Sequence, residues 1–106
     1  MTATAFQGAV VITVCGPLDH TGGDRLRRLL NAACTAFAPR IVIDLTEVGF
    51  MDSAGLNILL TAHHRAAKAG GWLRLAGASE QVLATLHVVG VDTVIGVHLT
   101  VAAALA

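Results

Sequence analysis

The chain has 106 residues, of which 55% are hydrophobic and 13% are charged. This length accommodates one domain spanning residues 1–106, and so many apolar residues exclude an intrinsically disordered chain. Seven basic and seven acidic residues cancel, so the excess of positive charge typical of nucleic-acid-binding domains is absent, and no direct contact with nucleic acid is expected.

The N-terminal third is predicted to contain two strands and one helix. Residues 2–7 are expected to form a short edge strand, and the β-branched run Val10–Cys15 a buried strand that Gly16-Pro17 terminates. Thr21-Gly22-Gly23-Asp24 has the spacing of a capping box, so a helix is expected to begin there. Pro39 ends this helix, whose apolar residues recur at helical spacing: Leu26, Leu29, Leu30, Ala33 and Phe37.

The rest of the chain continues to alternate strands and helices. A buried strand at Ile41–Leu45 precedes a long helix that Gly70-Gly71 closes. The apolar stripe of this helix comprises Leu56, Leu59, Leu60, His63 and Ala67. The later elements are a strand at Trp72–Ala76, a helix that Ser79 caps, a strand at Thr93–Val97 and a last turn that Thr100 caps. This alternation predicts an α/β domain with a mixed, mostly parallel sheet of four to five strands and about four helices.

Neither a secretory nor a membrane-spanning segment is predicted. The N-terminus lacks the basic start and apolar run of a signal peptide, and no stretch reaches the roughly 18 apolar residues of a transmembrane helix. Cys15 and Cys34 form neither a CxxC pair nor a zinc spacing. Both are therefore interpreted as reduced thiols in the core of a cytoplasmic protein, and a disulfide between them is the weaker alternative.

No set of residues predicts a metal site, a cofactor site or a catalytic centre. His63 and His64 are adjacent, so on a helix they point about 100° apart and cannot share a metal ion. Ser53 lies between a strand and a helix, as the serine of a nucleophile elbow does, but Met51 stands where an elbow requires glycine. A small serine hydrolase that uses Ser53 is therefore a remote alternative, and no enzymatic activity is expected.

Ser53 is instead distinguished by the acidic residues predicted around it. Its hydroxyl is expected to cap the long helix. Asp52 precedes it, Asp44 lies on the preceding strand, and Asp19 follows the first buried strand. Because the C-terminal ends of parallel strands meet at one edge of a sheet, the three carboxylates are expected to surround the hydroxyl. There they would orient it for a kinase or amplify the effect of an added phosphate.

Several segments together resemble a known family. The most specific is Phe50-Met51-Asp52-Ser53-Ala54-Gly55-Leu56, which follows a strand and opens a helix. The others are Gly16-Pro17-Leu18-Asp19, Ile43-Asp44-Leu45, Gly70-Gly71-Trp72-Leu73-Arg74-Leu75 and Gly90-Val91-Asp92. On these segments, from about Val10 to Leu105, the chain resembles the STAS-domain family, and specifically the bacterial anti-sigma factor antagonists. The resemblance implies a small α/β sandwich with a mixed sheet.

The resemblance also implies a phosphorylation switch. In the family, a partner anti-sigma factor that is a histidine-kinase-like ATPase phosphorylates the serine at the position of Ser53, and a metal-dependent serine phosphatase resets it. The unphosphorylated antagonist binds the anti-sigma factor and frees the sigma factor. Asp19 and Asp52 match family acids near the phosphorylation site. Contacts with the partner are expected at Asp19, Ser53, Ala54 and Asn57.

Three features leave the partner and its role open. Pro17 stands where the family usually has glutamate, and Asn57 replaces the more usual glycine. Arg25, Arg27 and Arg28 cluster on the first helix, either as a solvated face or as a contact with an acidic partner. The alternative function is a STAS domain that is not phosphorylated and serves as a signalling scaffold or as a cytoplasmic subunit of a lipid transporter.

Overall fold

One mixed sheet organises the chain. The computed structural model describes residues 1–19 and 23–106. The strands of the sheet are β1 (Thr2–Phe6), β2 (Ala9–Cys15), β3 (Arg40–Glu47), β4 (Trp72–Ala76) and β5 (Gly96–His98). They lie side by side in chain order; β1 pairs with β2 in antiparallel fashion, and the other neighbours are parallel. This sheet confirms the predicted class of fold, and β1 confirms the predicted edge strand.

Helices cover the two faces of the sheet unequally. Within the described residues they are α1 (Gly23–Ala33), α2 (Ser53–Lys68), α3 (Glu80–Val88) and α4 (Val101–Leu105). Side chains of α1, α2 and α3 pack in one cluster with Ile41 and Ile43 of β3. Ala104 of α4 packs with Val42 on the opposite face. Because β3 is covered on both faces, its sequence is a nearly continuous apolar run.

The first helix is shorter than predicted. It ends at Ala33, and Phe37, which was expected on its buried stripe, is 97% exposed. The amides of Thr35 and Ala36 bond to carbonyls three residues back rather than four, so the chain tightens and leaves the helix axis. Since the residue before a proline avoids the helical conformation, Pro39 prevents the helix from resuming.

The buried face of α2 is also rotated from the predicted one. Leu56 and Leu59 are buried as predicted, and His63 is half-buried as expected for a histidine on this stripe, but Leu60 is only half-buried and Ala67 is exposed. The positions that replace them in the core are Ile58, Ala62 and Ala66. The small side chains of the two alanines allow the helix to lie close to its neighbours. Such positions are missed when the buried face is predicted mainly from large apolar residues.

Most of the remaining boundaries agree with the sequence. The strand β4 is confirmed, and Ser79 and Thr100 cap α3 and α4 through their hydroxyl oxygens. The strand predicted at Thr93–Val97 begins three residues later, as β5, because Val91–Thr93 forms a turn of 3-10 helix. The capping box predicted at residues 21–24 lies outside the described residues at its first two positions.

The two cysteines have different surroundings. Both thiols are free, and Cys34 is buried as predicted, but Cys15 is exposed at the end of β2, so the prediction that it lies in the core is wrong. Burial raises the pKa of the Cys34 thiol, and the positive charge of Arg65 opposes this shift without cancelling it.

We expect Cys15 to react with dithionitrobenzoate much faster than Cys34 between about pH 7 and pH 9, because the thiolate is the reactive form. Folding raises the pKa of Cys34, so the folded state holds this proton more tightly than the unfolded chain. The resulting stabilisation is present below the pKa of the unfolded thiol and is lost as the pH rises through the folded pKa. The labelling rates of Cys15→Ser, which retains Cys34, and of Cys34→Ser, which retains Cys15, test the predicted difference in reactivity. Equal rates for the two variants would contradict it.

Candidate functional site

Two loops meet at the C-terminal edge of the parallel strands. The amide of Leu18, in the loop after β2, donates to the carbonyl of Phe50 at 2.9 Å, and the amide of Asp52 donates to the carbonyl of Leu18 at 3.2 Å. Leu18 and Met51 thereby form a parallel bridge beyond the ends of the strands, and both are buried. This pairing holds the start of α2 beside Asp19.

Glycine at position 55 allows α2 to begin so close to this bridge. A Cβ atom on Gly55 would lie 2.4 Å from the carbonyl oxygen of Leu18, a distance that real Cβ atoms do not reach. The obstacle is backbone, which cannot rotate away as the end of a side chain can. Gly55 is therefore explained by this close approach, and any larger side chain must displace either the loop or the helix.

The residue that caps α2 is Asp52, so the prediction that Ser53 caps it is wrong. Asp52 is extended (φ −107°, ψ −174°), and its Oδ1 accepts from the amides of Ala54 at 2.9 Å and Gly55 at 3.1 Å. Both residue types are good caps. The bridge decides between them, because it fixes Asp52 in the extended conformation that a cap requires.

Ser53 is consequently the first residue of α2, and it is exposed. Its hydroxyl has no hydrogen-bond partner among the residues that the structure describes. The first turn of this 16-residue helix carries no acidic side chain. The Asp52 side chain already accepts from two amides of the first turn. Because the helix dipole favours negative charge at a helix N-terminus, an anionic group added to the Ser53 oxygen would still meet a favourable field from α2.

The three acidic residues predicted around Ser53 are not all brought together. Asp52 precedes it directly, and the half-buried Asp19 follows Leu18, whose carbonyl accepts the amide of Asp52. The Asp19 carbonyl accepts the first amide of α1 at 2.8 Å. Asp44 points to the face of β3 opposite α2, because side chains alternate along a strand. Its Oδ1 accepts from the amide of Thr46 at 3.0 Å and from the Thr46 hydroxyl at 2.6 Å. The expectation that Asp44 surrounds the hydroxyl is therefore corrected.

Residues before and after Ser53 in the chain extend the exposed surface around it. Ala54 is half-buried and Asn57 is exposed one turn further along α2. Phe50 is 50% exposed in the loop that leads to Asp52, and the sequence predicted it only as part of the family-like segment and not as a surface contact. An aromatic side chain in a turn between a strand and a helix is the signal that would have identified it.

The described residues hold neither a metal cluster nor a membrane span. In residues 1–19 and 23–106, no group of three or more His, Cys, Asp or Glu side chains is placed to hold a metal ion. Within the same ranges no helix has both the length and the apolar character needed to cross a membrane. What this edge of the sheet does present is the exposed Ser53 at the first residue of α2.

We expect Asp52→Ala to lower the free energy of unfolding by about 1 kcal/mol, because two helix amides lose their acceptor. Asp52→Asn is the matched control: its side-chain carbonyl can accept the same bonds, so it should lose clearly less. Urea denaturation followed by circular dichroism measures both. An unchanged midpoint in Asp52→Ala would show that the cap does not stabilise α2, and equal losses in the two variants would show that the charge matters instead.

The five-stranded mixed sheet and the helices packed on both of its faces define a small α/β domain. A family model for the STAS domain matches residues 1–104. The chain therefore belongs to the STAS domain family, which confirms the resemblance found in the sequence.

Three proteins similar to this chain are all named anti-sigma factor antagonists. The chain is 25% identical over 93 residues to an anti-sigma F factor antagonist from Paenibacillus polymyxa, covering 87% of this chain and 80% of that one. It is similar to the structure of an anti-sigma factor antagonist from Mycobacterium paratuberculosis, with 26% identity, a TM-score of 0.84 and coverage of 98% and 88%. An anti-sigma-factor antagonist (STAS) domain protein from Planctomyces limnophilus shares the fold at 24% identity, with a TM-score of 0.88 and coverage of 98% and 92%.

Proposed function

We propose that the protein is an anti-sigma factor antagonist whose binding is switched by phosphorylation of Ser53. Unphosphorylated, it binds an anti-sigma factor kinase of the histidine-kinase-like ATPase class and so frees a sigma factor for transcription. Phosphorylated, it dissociates, and a serine phosphatase resets it. The observation that carries the proposal is the exposed hydroxyl of Ser53 at the first residue of α2. The names of the relatives support the class of partner.

The recognition surface in this proposal consists of Asp19, Ser53, Ala54 and Asn57. The bridge through Leu18 and the cap on α2 hold this surface in place before any partner arrives. A preorganised surface binds more tightly because less conformational entropy is lost on association. Small and polar residues keep the patch shallow, so a kinase active site can approach the hydroxyl.

In this proposal the protein is a cytoplasmic substrate and binding partner rather than a catalyst. A serine nucleophile needs a general base within hydrogen-bond reach. None of the described residues forms a hydrogen bond with the Ser53 hydroxyl. The geometry therefore favours a serine that receives a phosphoryl group over a serine that attacks a substrate.

The proposal is tested by incubating the protein with ATP and the histidine-kinase-like ATPase that co-purifies with it. We expect mass spectrometry to locate one phosphate on Ser53. The chain has a second serine, Ser79, which caps α3 after the neighbouring parallel strand β4 and whose hydroxyl oxygen accepts from the amide of Val82. Ser53→Ala should take up no phosphate, whereas Ser79→Ala should be phosphorylated like the wild type. Undiminished phosphorylation of Ser53→Ala, or none of the wild type, would overturn the switch in favour of an unphosphorylated scaffold.

A further inference from the structure

The layer formed by α1 and α2 carries most of the positive charge of the chain. Of seven basic residues in the whole sequence, five lie on these two helices, against one acidic residue, Asp24. The layer thus has a net charge of +4 in a chain whose net charge is zero, and the remainder carries −4. All five cations are exposed: Arg25, Arg27, Arg28, Arg65 and Lys68.

Two of these arginines line a groove between the two helices, here called the α1–α2 groove. Arg27 enters it from α1 and Arg65 from α2, and the guanidinium of Arg65 donates to the side-chain oxygen of Asn31 across it. The other residues that line the groove are the buried Leu30, Ile58 and Ala62 and the exposed Asn57 and Thr61. The α1–α2 groove therefore combines a partly apolar floor with a cationic rim.

The positive charge of the rim is available to a partner. Arg65 is bonded to a neutral amide, and within the described part of the chain no carboxylate lies within 4.0 Å of its guanidinium. Arg27 pairs with Asp24 at 2.9 Å, but the two side chains are 58% and 61% exposed. Exposed pairs of this kind are weak, so a carboxylate from a partner can replace Asp24 at little cost.

The α1–α2 groove is continuous with the surface around Ser53. Ser53, Asn57, Thr61 and Arg65 follow one another at intervals of four residues, so neighbouring members are adjacent on the surface of α2. The four form an exposed strip that winds by about 40° at each step. Ser53 and Arg65 are twelve positions apart, which is about 18 Å along the helix axis. One segment of a partner protein can therefore contact Ser53 and the groove at the same time.

We propose that the α1–α2 groove binds an acidic segment of the anti-sigma factor, with carboxylates at Arg27 and Arg65 and apolar side chains over the floor. This inference rests on the proposed function and adds to it the chemistry of the partner. It also gives the phosphate on Ser53 a second effect. A dianion at one end of the strip repels a segment chosen for negative charge, so phosphorylation opposes binding beyond the contact with Ser53 itself.

A pair of variants at Thr61 tests the sign of the charge. Both Glu and Lys favour helix, so neither substitution at this exposed position should disturb the fold. Thr61→Glu also places a carboxylate four residues before Arg65, where it pairs with that guanidinium. We expect Thr61→Glu to weaken binding of the co-purifying kinase about tenfold at low salt, and Thr61→Lys to retain or increase it. Arg40→Glu, an exposed charge reversal at the opposite end of β3, is the control and should change affinity less than twofold.

Two further experiments, a salt series and a vesicle-binding assay, test whether charge explains the effect of the Thr61 variants. The difference between the two Thr61 variants should shrink between about 0.05 M and about 0.5 M NaCl, because salt screens exposed charges. Equal weakening by Glu and Lys would show that only shape matters at the groove and would overturn the inference. A second set of results would also overturn the inference and assign the groove to anionic lipid. In that case the wild type binds phosphatidylserine vesicles, Thr61→Glu abolishes this binding, and kinase affinity is unchanged in both Thr61 variants.

Different results would exclude binding at the α1–α2 groove and the phosphorylation switch at Ser53. If Ser53→Asp weakens binding while neither Thr61 variant changes it, the groove is excluded and the switch is retained. If the Thr61 pair responds to the sign of the charge while Ser53→Asp binds like the wild type, the groove is retained and the switch is excluded. A kinase that does not bind the wild-type protein overturns both.

Discussion

Phosphorylation of Ser53 is expected to weaken binding of the anti-sigma factor kinase at least a hundredfold while leaving the domain folded. The phosphate adds about −1.5 to −2 charges at pH 7. The N-terminus of α2 stabilises such a charge by roughly 0.3 to 1 kcal/mol, so the fold should survive. A partner surface fitted to a neutral hydroxyl must instead desolvate a dianion, which costs several kcal/mol. A loss of about 2.7 kcal/mol already corresponds to a hundredfold weaker affinity.

Variants at position 53 should reproduce the two states of the switch. Ser53→Ala is expected to bind the kinase as tightly as the unphosphorylated protein, and Ser53→Asp to bind poorly, although a carboxylate imitates a phosphate incompletely. Titration calorimetry of both variants and of the phosphorylated protein gives the affinities, and circular dichroism shows whether each is folded. Equal affinity for all forms would remove Ser53 from the mechanism.

Gly55→Ala is expected to be among the most destabilising single changes at the site. In an ordinary helix, Ala at this position would stabilise by about 1 kcal/mol relative to Gly. Here its Cβ would lie 2.4 Å from the Leu18 carbonyl oxygen, so the helix and the loop must separate. Overpacking of this kind costs roughly 1 to 3 kcal/mol. Because the Leu18 loop also carries Asp19, we expect kinase binding to weaken together with stability.

Gly49→Ala provides the matched control for this prediction. Gly49 lies in the loop between β3 and α2, six residues before Gly55, and a Cβ there would meet no atom within 4 Å. Urea denaturation of the two variants should show a loss for Gly55→Ala and little change for Gly49→Ala. A Gly55→Ala variant that is as stable as the wild type, or more so, would mean that α2 does not need this close approach.

Local features of the fold were predictable because their causes are local. The caps at Ser79 and Thr100 and the strand Trp72–Ala76 depend on a few neighbouring residues, and the structure confirms them. The end of α1 was not predictable from periodicity, which continues to Phe37. It is set by hydrogen bonds that shorten to three-residue spacing before Pro39.

The site was predictable only in part, because some of its features depend on contacts between segments that are distant in the sequence. Sequence placed Ser53 at the start of a helix and beside Asp52, since both positions are determined by the chain itself. It assigned the helix cap to Ser53 instead of Asp52, because the choice between them depends on the bridge through Leu18. Nor did it decide the face of Asp44. Alternation predicts that Asp44 points away from its neighbours Ile43 and Leu45, but only the packing of α2 shows which side that is.

We propose that this protein displaces a sigma factor from its anti-sigma factor only when Ser53 is unphosphorylated. Native mass spectrometry of a preformed complex of sigma factor and anti-sigma factor kinase, after addition of the protein in each state, tests it most directly. We predict free sigma factor and a new complex of the kinase with the unphosphorylated protein, and an intact starting complex with the phosphorylated protein. Release of the sigma factor by both forms, or by neither, would contradict the account.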